Sequence, residues 1–400
     1  LFGGASSVGI ELLSVPLIQE KRVSGHRAVC NLVGTLSTTM VPWGLVTTVV
    51  FGLISAVLVL GMPVVHPSVA GYTVGYLLET IPIIFMMMLS GLWSGFLSGH
   101  GAFMASGWAH AVRWMVVIGA TLLLTQLALL PLLGCAFLAG ELARTGYLWW
   151  KLKQEVLWGG WGSVLRSLPS VQAPFAIFGL QVLAMLAINS NFIIDKAMGS
   201  FLGPGKLSLF EYAFTLYLVP TTIISSGLLP VLFSEWSRVF YSAGGASQLL
   251  FLVKHAFWKS IVWSLPFSLA ISVTASLLAT QPFQVGKLPT HDVSEIFGVI
   301  GCLGLGLPGV LAGLVAMRGL LVIKETKTFL AVAISKCVMN ASLNYVLMVP
   351  FGLAGIALST ALTETIAAAS LYLLFRYRVR YPALGKLATA EESGATVSSS

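Results

Sequence analysis

Of 400 residues, 57% are hydrophobic and only 9% are charged, against the roughly 25% charged that soluble domains carry. That balance excludes an ordinary soluble globular protein and predicts an all-α polytopic membrane bundle with little room for a soluble domain. The net charge of +8 invites a nucleic-acid partner, but the placement of the basic residues argues against one.

A membrane-crossing helix needs about 20 apolar residues. By that rule the chain holds eleven spans, over 1–19, 32–61, 70–97, 103–126, 129–150, 172–200, 208–233, 251–280, 294–317, 328–349 and 352–375. Their apolar runs are continuous rather than alternating, which argues against membrane-barrel strands. The first span starts at Leu1, with neither an initiator Met nor a basic stretch before it. The expectation is a truncated start with one more span upstream. With residues 20–31 on the cytoplasmic side, Lys21, Arg22, Arg27, Arg113, Arg144, Lys151, Lys153, Arg238, Lys324 and Arg376 are assigned to that side, and little beyond Lys206 and Lys287 to the other. This is the positive-inside pattern of a cytoplasmic-membrane protein, with a cytoplasmic C-terminus. The basic charge is topological.

Two echoes suggest an internal repeat. LLSVPLIQEKR (12–22) resembles LLPVLFSEWSR (228–238), and LLGCAFLAGELA (132–143) resembles LAGIALSTALTE (353–364), at nearly equal offsets. Two parallel lobes of about six helices each follow from an even number of spans per repeat. The predicted division is an N-terminal lobe over 1–150, an interfacial linker over 151–170 rich in Trp, Lys and Arg, a C-terminal lobe over 171–380, and a disordered tail over 381–400.

Inside the spans the ionisable residues are Glu11, Glu79, Glu141, Asp195, Glu211, Lys336 and Glu364. Each costs about 2.5–3.5 kcal/mol at the bilayer centre unless it has a partner or a wet cavity. Asp195 reads as a cation ligand, a proton carrier, or half of a structural pair with Lys196. Asn340 and Asn344 are four apart, hence on one helix face. Thr360, on the next helix, can meet them. Together these offer hard oxygen ligands that an alkali cation accepts, or hydrogen bonds that glue helices together. The glycine run LGLGLPG (303–309) lacks the Lys-Ser/Thr of a phosphate loop and reads as close helix packing. The four cysteines have no metal or disulfide spacing, no His pair has ligand spacing, and no nucleophile stands with a base, so the chain is not read as an enzyme.

RGLLVIKETKTF (318–329), followed by VMNASLNYVLMVPFGLAGIALSTAL (338–362), resembles the MurJ/MviN lipid II flippase family. NFIIDKAMGSFLGPGKLSLFEYAFTLYLVPTTIISSGLLPVLF (191–233) is similar to the same family, and ASSVGIELLSVPLIQEKR (5–22) more loosely so. The resemblance implies the multidrug/oligosaccharidyl-lipid/polysaccharide exporter fold, here running from the family's second helix to its twelfth. It implies a sodium site at Asp195, Asn340, Asn344 and Thr360, with a backbone carbonyl near Ile356. Asn344 stands where a carboxylate can occur in the family. Glu11, Glu211 and Thr215 are the expected substrate-cavity residues, and Thr215 falls where the family has an arginine.

The function so implied is movement of lipid II across the membrane by alternating access, coupled to an ion or to the membrane potential. The alternatives are export of another undecaprenyl-linked glycan, such as an O-antigen or exopolysaccharide precursor, a cation or drug antiporter of the same superfold, and a non-transporting relative acting through partners. The expected partners are a lipid-linked glycan and membrane lipids, with no nucleic acid. The chain is expected to be monomeric.

Overall fold

A computed structural model describes residues 2–61, 67–129, 132–155, 172–242, 245–281 and 289–381. The linker beyond Glu155 and the tail beyond Tyr381 lie outside the described residues. Among the described residues all regular structure is helical: α1 (Phe2–Arg22), α2 (His26–Gly61), α3 (Pro67–His100), α4 (Phe103–Gln126), α5 (Leu133–Gln154), α6 (Gln172–Ser200), α7 (Lys206–Tyr241), α8 (Gly245–Ala279), α9 (Thr290–Leu305), α10 (Leu307–Val322) and α11 (Thr326–Arg380). Seven of these are long and apolar enough to cross a membrane, and α9 with α10 forms an eighth, bent by 44°. The chain divides into two compact units, Leu1–Leu186 and Ala187–Ser400.

In the first unit α3 is the central helix, packed against α1, α2 and α5. Its contact with α1 follows from a repeat of small residues. Gly91, Gly95 and Gly99 recur every fourth position and so form one stripe along α3. Without side chains there, the α1 backbone comes close enough that a Cβ at Gly91 would lie 2.8 Å from Ser7 Cα, and one at Gly95 2.6 Å from Ser14 Cβ. Small-residue stripes let helices approach in lipid, where apolar burial alone gives no drive to associate. Gly95→Ala should therefore cost about 1–3 kcal/mol by overpacking. Gly107→Ala on α4, where an added Cβ meets nothing within 4 Å, should be neutral or stabilising. Thermal unfolding of the two variants in detergent checks the contrast.

In the second unit the predicted ninth span, 294–317, is a broken helix rather than a continuous one. Pro308 has no N–H for the carbonyl of Gly304, four residues back. Ser268 of α8 donates to that carbonyl instead, at 2.7 Å. The glycine run around the break gives close packing: a Cβ at Gly306 would sit 2.8 Å from Ala361 Cα, and one at Gly309 2.8 Å from Thr365 Cα. The tenth and eleventh predicted spans are the two arms of α11, which reverses at Gly352. There φ is 57° and ψ −132°, a conformation open to glycine and costly for residues with a Cβ. A Cβ at Gly355 would collide with the Leu347 carbonyl, so the arms turn tightly. At the start of α11, Glu325 accepts from Thr328 at 2.8 Å and pairs with Arg378 at 3.5 Å. This ties the RGLLVIKETKTF segment, at the start of α11, to the far end of the same helix.

Candidate functional site

The turn at Gly352 folds the second arm of α11 back along the first, and α6 lies against both. Asp195 of α6 is fully buried. Its Oδ1 accepts from Asn340 Nδ2 at 2.6 Å and from Asn344 Nδ2 at 2.7 Å. Its Oδ2 accepts from Thr360 Oγ1 at 3.1 Å. Thr360 Oγ1 also lies 3.0 Å from the Ile356 carbonyl. The four polar residues singled out in the sequence, and Ile356 that the family resemblance adds, therefore form one cluster. Asn340 and Asn344 reach the same carboxylate oxygen because a spacing of four puts them one above the other on the first arm. Ser359 joins from the second arm, its Oγ 3.3 Å from the Asn340 carbonyl.

The cluster is short of positive charge. Lys196 is paired with Glu211, so the structural Asp195–Lys196 pair is not formed. The nearby Lys336 is held by Glu364 at 2.6 Å. The buried Asn344 Oδ1 has no hydrogen-bond partner among the described residues. A carboxylate, two carboxamides, a hydroxyl and a main-chain carbonyl are the hard oxygen donors that suit a small alkali cation and disfavour a soft metal. Both carboxamides present nitrogen to Asp195. A half-turn of each would present oxygen, and the orphaned Asn344 oxygen is already unclaimed. The residue set fits a monovalent cation.

The expected cavity residues are divided between the two units. Glu11 belongs to the first unit, where Ser94 Oγ donates to it at 3.0 Å. Glu211 and Thr215 belong to the second unit, one turn apart on α7, with Glu211 tied to Lys196 and Thr215 exposed.

A second buried charge cluster escaped the sequence reading. Arg113 and Arg144 were assigned to the cytoplasmic side by their charge, yet they sit well inside α4 and α5. Glu141 Oε2 lies 3.2 Å from Arg113 Nε, and its Oε1 lies 3.2 Å from Arg144 Nη1. Ser90 of α3 donates to Glu141 at 2.6 Å, and His110 Nε2 is 3.5 Å from Arg144 Nη2. Glu141 and Arg144 are 0% and 1% exposed. The signal in the sequence was the spacing of three between Glu141 and Arg144, which puts them on one face of a helix already counted as a span. In both units an acid–base pair with one buried member joins successive helical segments: Arg113–Glu141 between α4 and α5, and Lys336–Glu364 between the arms of α11.

Helices long and apolar enough to cross a membrane, with buried charges inside them and no other regular structure among the described residues, define a polytopic membrane protein. Solved structures share its fold. The Vibrio cholerae MATE transporter VcmN in its bent form superimposes with a TM-score of 0.76 at 14% identity, over 95% of this chain and 86% of that one. A MOP superfamily transporter from Pyrococcus furiosus does so with a TM-score of 0.73, also at 14% identity, over 95% and 86%. At such identities the likeness is one of fold. The family is set by sequence: the profile described as "Lipid II flippase MurJ" matches residues 10–398, and the chain belongs to that family. The lipid II flippase MurJ of Burkholderia cenocepacia is 24% identical over 377 residues, 92% of this chain and 73% of that protein. A probable lipid II flippase MurJ of Thermotoga maritima is 26% identical over 189 residues, 47% and 39% respectively. This is a family of transporters and not of enzymes.

Proposed function

We propose that this chain moves lipid II, the lipid-linked precursor of peptidoglycan, from the inner to the outer leaflet of the bacterial cytoplasmic membrane. The observation that carries the reading is the family match, which runs through both units from residue 10 to residue 398. The transporter fold and the absence of any clustered nucleophile and base in the sequence support it.

We further propose that the Asp195 cluster is the coupling site, taking sodium on Asp195, Asn340, Asn344, Thr360 and the Ile356 carbonyl. A bound cation would neutralise Asp195 and turn a costly buried charge into a crosslink between α6 and both arms of α11. Asp195 supplies the charge, the two carboxamides supply neutral oxygens, and Thr360 sets the position of the second arm. Loss of the cation leaves the carboxylate held by three hydrogen bonds alone. Such a site biases a conformational equilibrium only if its affinity differs between the two states.

Thr215 favours a second reading. It stands where the resemblance expects an arginine, and a hydroxyl cannot pair with a diphosphate as a guanidinium does. Export of another undecaprenyl-linked glycan accommodates that change. Expression in a Gram-negative strain depleted of its own lipid II flippase separates the two. Rescue from lysis supports lipid II as substrate. Lysis despite normal insertion in the membrane counts against it and moves the choice to the second reading.

A further inference from the structure

The Lys336–Glu364 pair is built onto the Asp195 cluster. On the first arm of α11 Lys336 stands one turn before Asn340, and on the second arm Glu364 stands one turn after Thr360. Residues four apart share a helix face, with Cβ atoms about 6 Å from each other. The arms run antiparallel from the reversal at Gly352, so their paired residues form the rungs of a ladder. One rung is Asn340 with Thr360, which donate to the two oxygens of Asp195. The next rung is Lys336 with Glu364. Ser359 Oγ, 3.3 Å from the Asn340 carbonyl, fixes the register between them.

Lys336 is 8% exposed, and its Nζ donates to Glu364 Oε1 at 2.6 Å. Lysine carries its charge as a compact point on a flexible four-carbon stem, long enough to cross one helical turn. Asp195 therefore lies within reach of two kinds of cation: an ion from solution, and the ammonium of Lys336. An ammonium on Asp195 would occupy the place of the ion and neutralise the same buried carboxylate. Even at rest, an unbalanced positive charge about 7 Å away would weaken a cation's binding by ~tenfold or more at an effective dielectric constant of about 20. Glu364 supplies the balance.

We propose that Glu364 is a positioning residue that holds the Lys336 ammonium off Asp195 and so keeps the cluster open to a monovalent cation from solution. The pair sets the affinity of the site without contributing a ligand to it. This rests on the reading of the cluster as the sodium-coupling site, and it adds a competitor for the ion within the chain itself. Without Glu364 the lysine is a tethered rival, carried on the same helix as two of the ligands and so present at high effective concentration. Without either charge the five ligands remain, and both the rival and its restraint are gone.

Binding of radioactive sodium to the purified chain in detergent, with choline holding the ionic strength constant, tests this. Glu364→Gln should weaken sodium binding at least about tenfold, and Lys336→Gln should strengthen it about threefold or more. The double variant should return to within about threefold of wild type, a rescue that a merely structural pair would not give. Glu325→Gln breaks another ion pair between the same arms, with Arg378, about 22 Å along the helix from Asn340 at ~1.5 Å per residue. It should leave sodium affinity unchanged. Sodium binding that is the same in wild type and Glu364→Gln would overturn the inference and leave the coupling-site reading standing. Equal weakening in Glu364→Gln and in the double variant would also overturn it, because the tie between the arms would then matter and the lysine would not. Should Glu364→Gln fail to fold, Lys336→Gln decides alone, and unchanged affinity there overturns the inference. No sodium binding by wild type would overturn the coupling-site reading and this inference with it.

Discussion

Replacing Asp195 with asparagine is expected to abolish transport while leaving the fold in place. The substitution keeps the shape of the side chain and removes its charge, which is the charge that the cluster offers a cation. Asn340, Asn344 and Thr360 would remain around a neutral carboxamide, with one oxygen available to the two Nδ2 groups that now share Asp195 Oδ1. The structural loss should be of the size of one or two hydrogen bonds, about 1–3 kcal/mol. The functional loss should be complete, because a site with no differential affinity for an ion transmits no bias. A thermodynamic signature accompanies this. Sodium at a hundredfold excess over its Kd stabilises a native state by about 2.7 kcal/mol, so the wild-type unfolding temperature should rise with sodium and not with choline. The Asp195→Asn variant should show no such rise. If it still transports and still responds to sodium, the cluster is interhelical glue and the ion binds elsewhere.

Replacing Glu141 with alanine should have the largest effect on stability of any single change in the first unit. Arg113 and Arg144 would stay inside the bundle with no carboxylate to balance them, and Ser90 would lose its acceptor. Removing one partner of a buried ion pair costs about 3–5 kcal/mol, chiefly because the remaining charge is left uncompensated. The same change at Glu235, an exposed residue 3.9 Å from Arg238, should cost less than about 1 kcal/mol. Thermal unfolding in detergent distinguishes them. Adding Arg144→Met to Glu141→Ala should recover a large part of the loss, since it removes one of the stranded charges. Failure of that second change to recover any stability would mean that the Glu141 contacts with Arg113 and Ser90 dominate.

The residues of the Asp195 cluster were visible in the sequence, while their union with Ile356 in one site is what the family resemblance implied. Asn340 and Asn344 announce themselves by spacing, and a lone aspartate in an apolar helix asks for partners. The sequence did not show the Glu141 network, because arginines were assigned by charge to the cytoplasmic side even where a span had been drawn through them. Once α5 is taken as a helix, Glu141 and Arg144 fall on one face, and the third member arrives from α4 only through tertiary packing. The glycine stripe on α3 was equally present in the sequence, but its meaning depends on which helix approaches it. Apolar length placed most helices well. It also separated the two arms of α11 on either side of Gly352, but it failed at Gly306, where backbone geometry rather than hydropathy breaks the helix.

Lipid II itself offers the most direct measurement. In spheroplasts depleted of their own flippase and expressing this chain, a membrane-impermeant reagent would measure the fraction of lipid II in the outer leaflet. The prediction is a sodium-dependent rise in that fraction with the wild-type chain, and none with Asp195→Asn. An outer-leaflet fraction that stays at the depleted level, with the chain present and folded in the membrane, would contradict it.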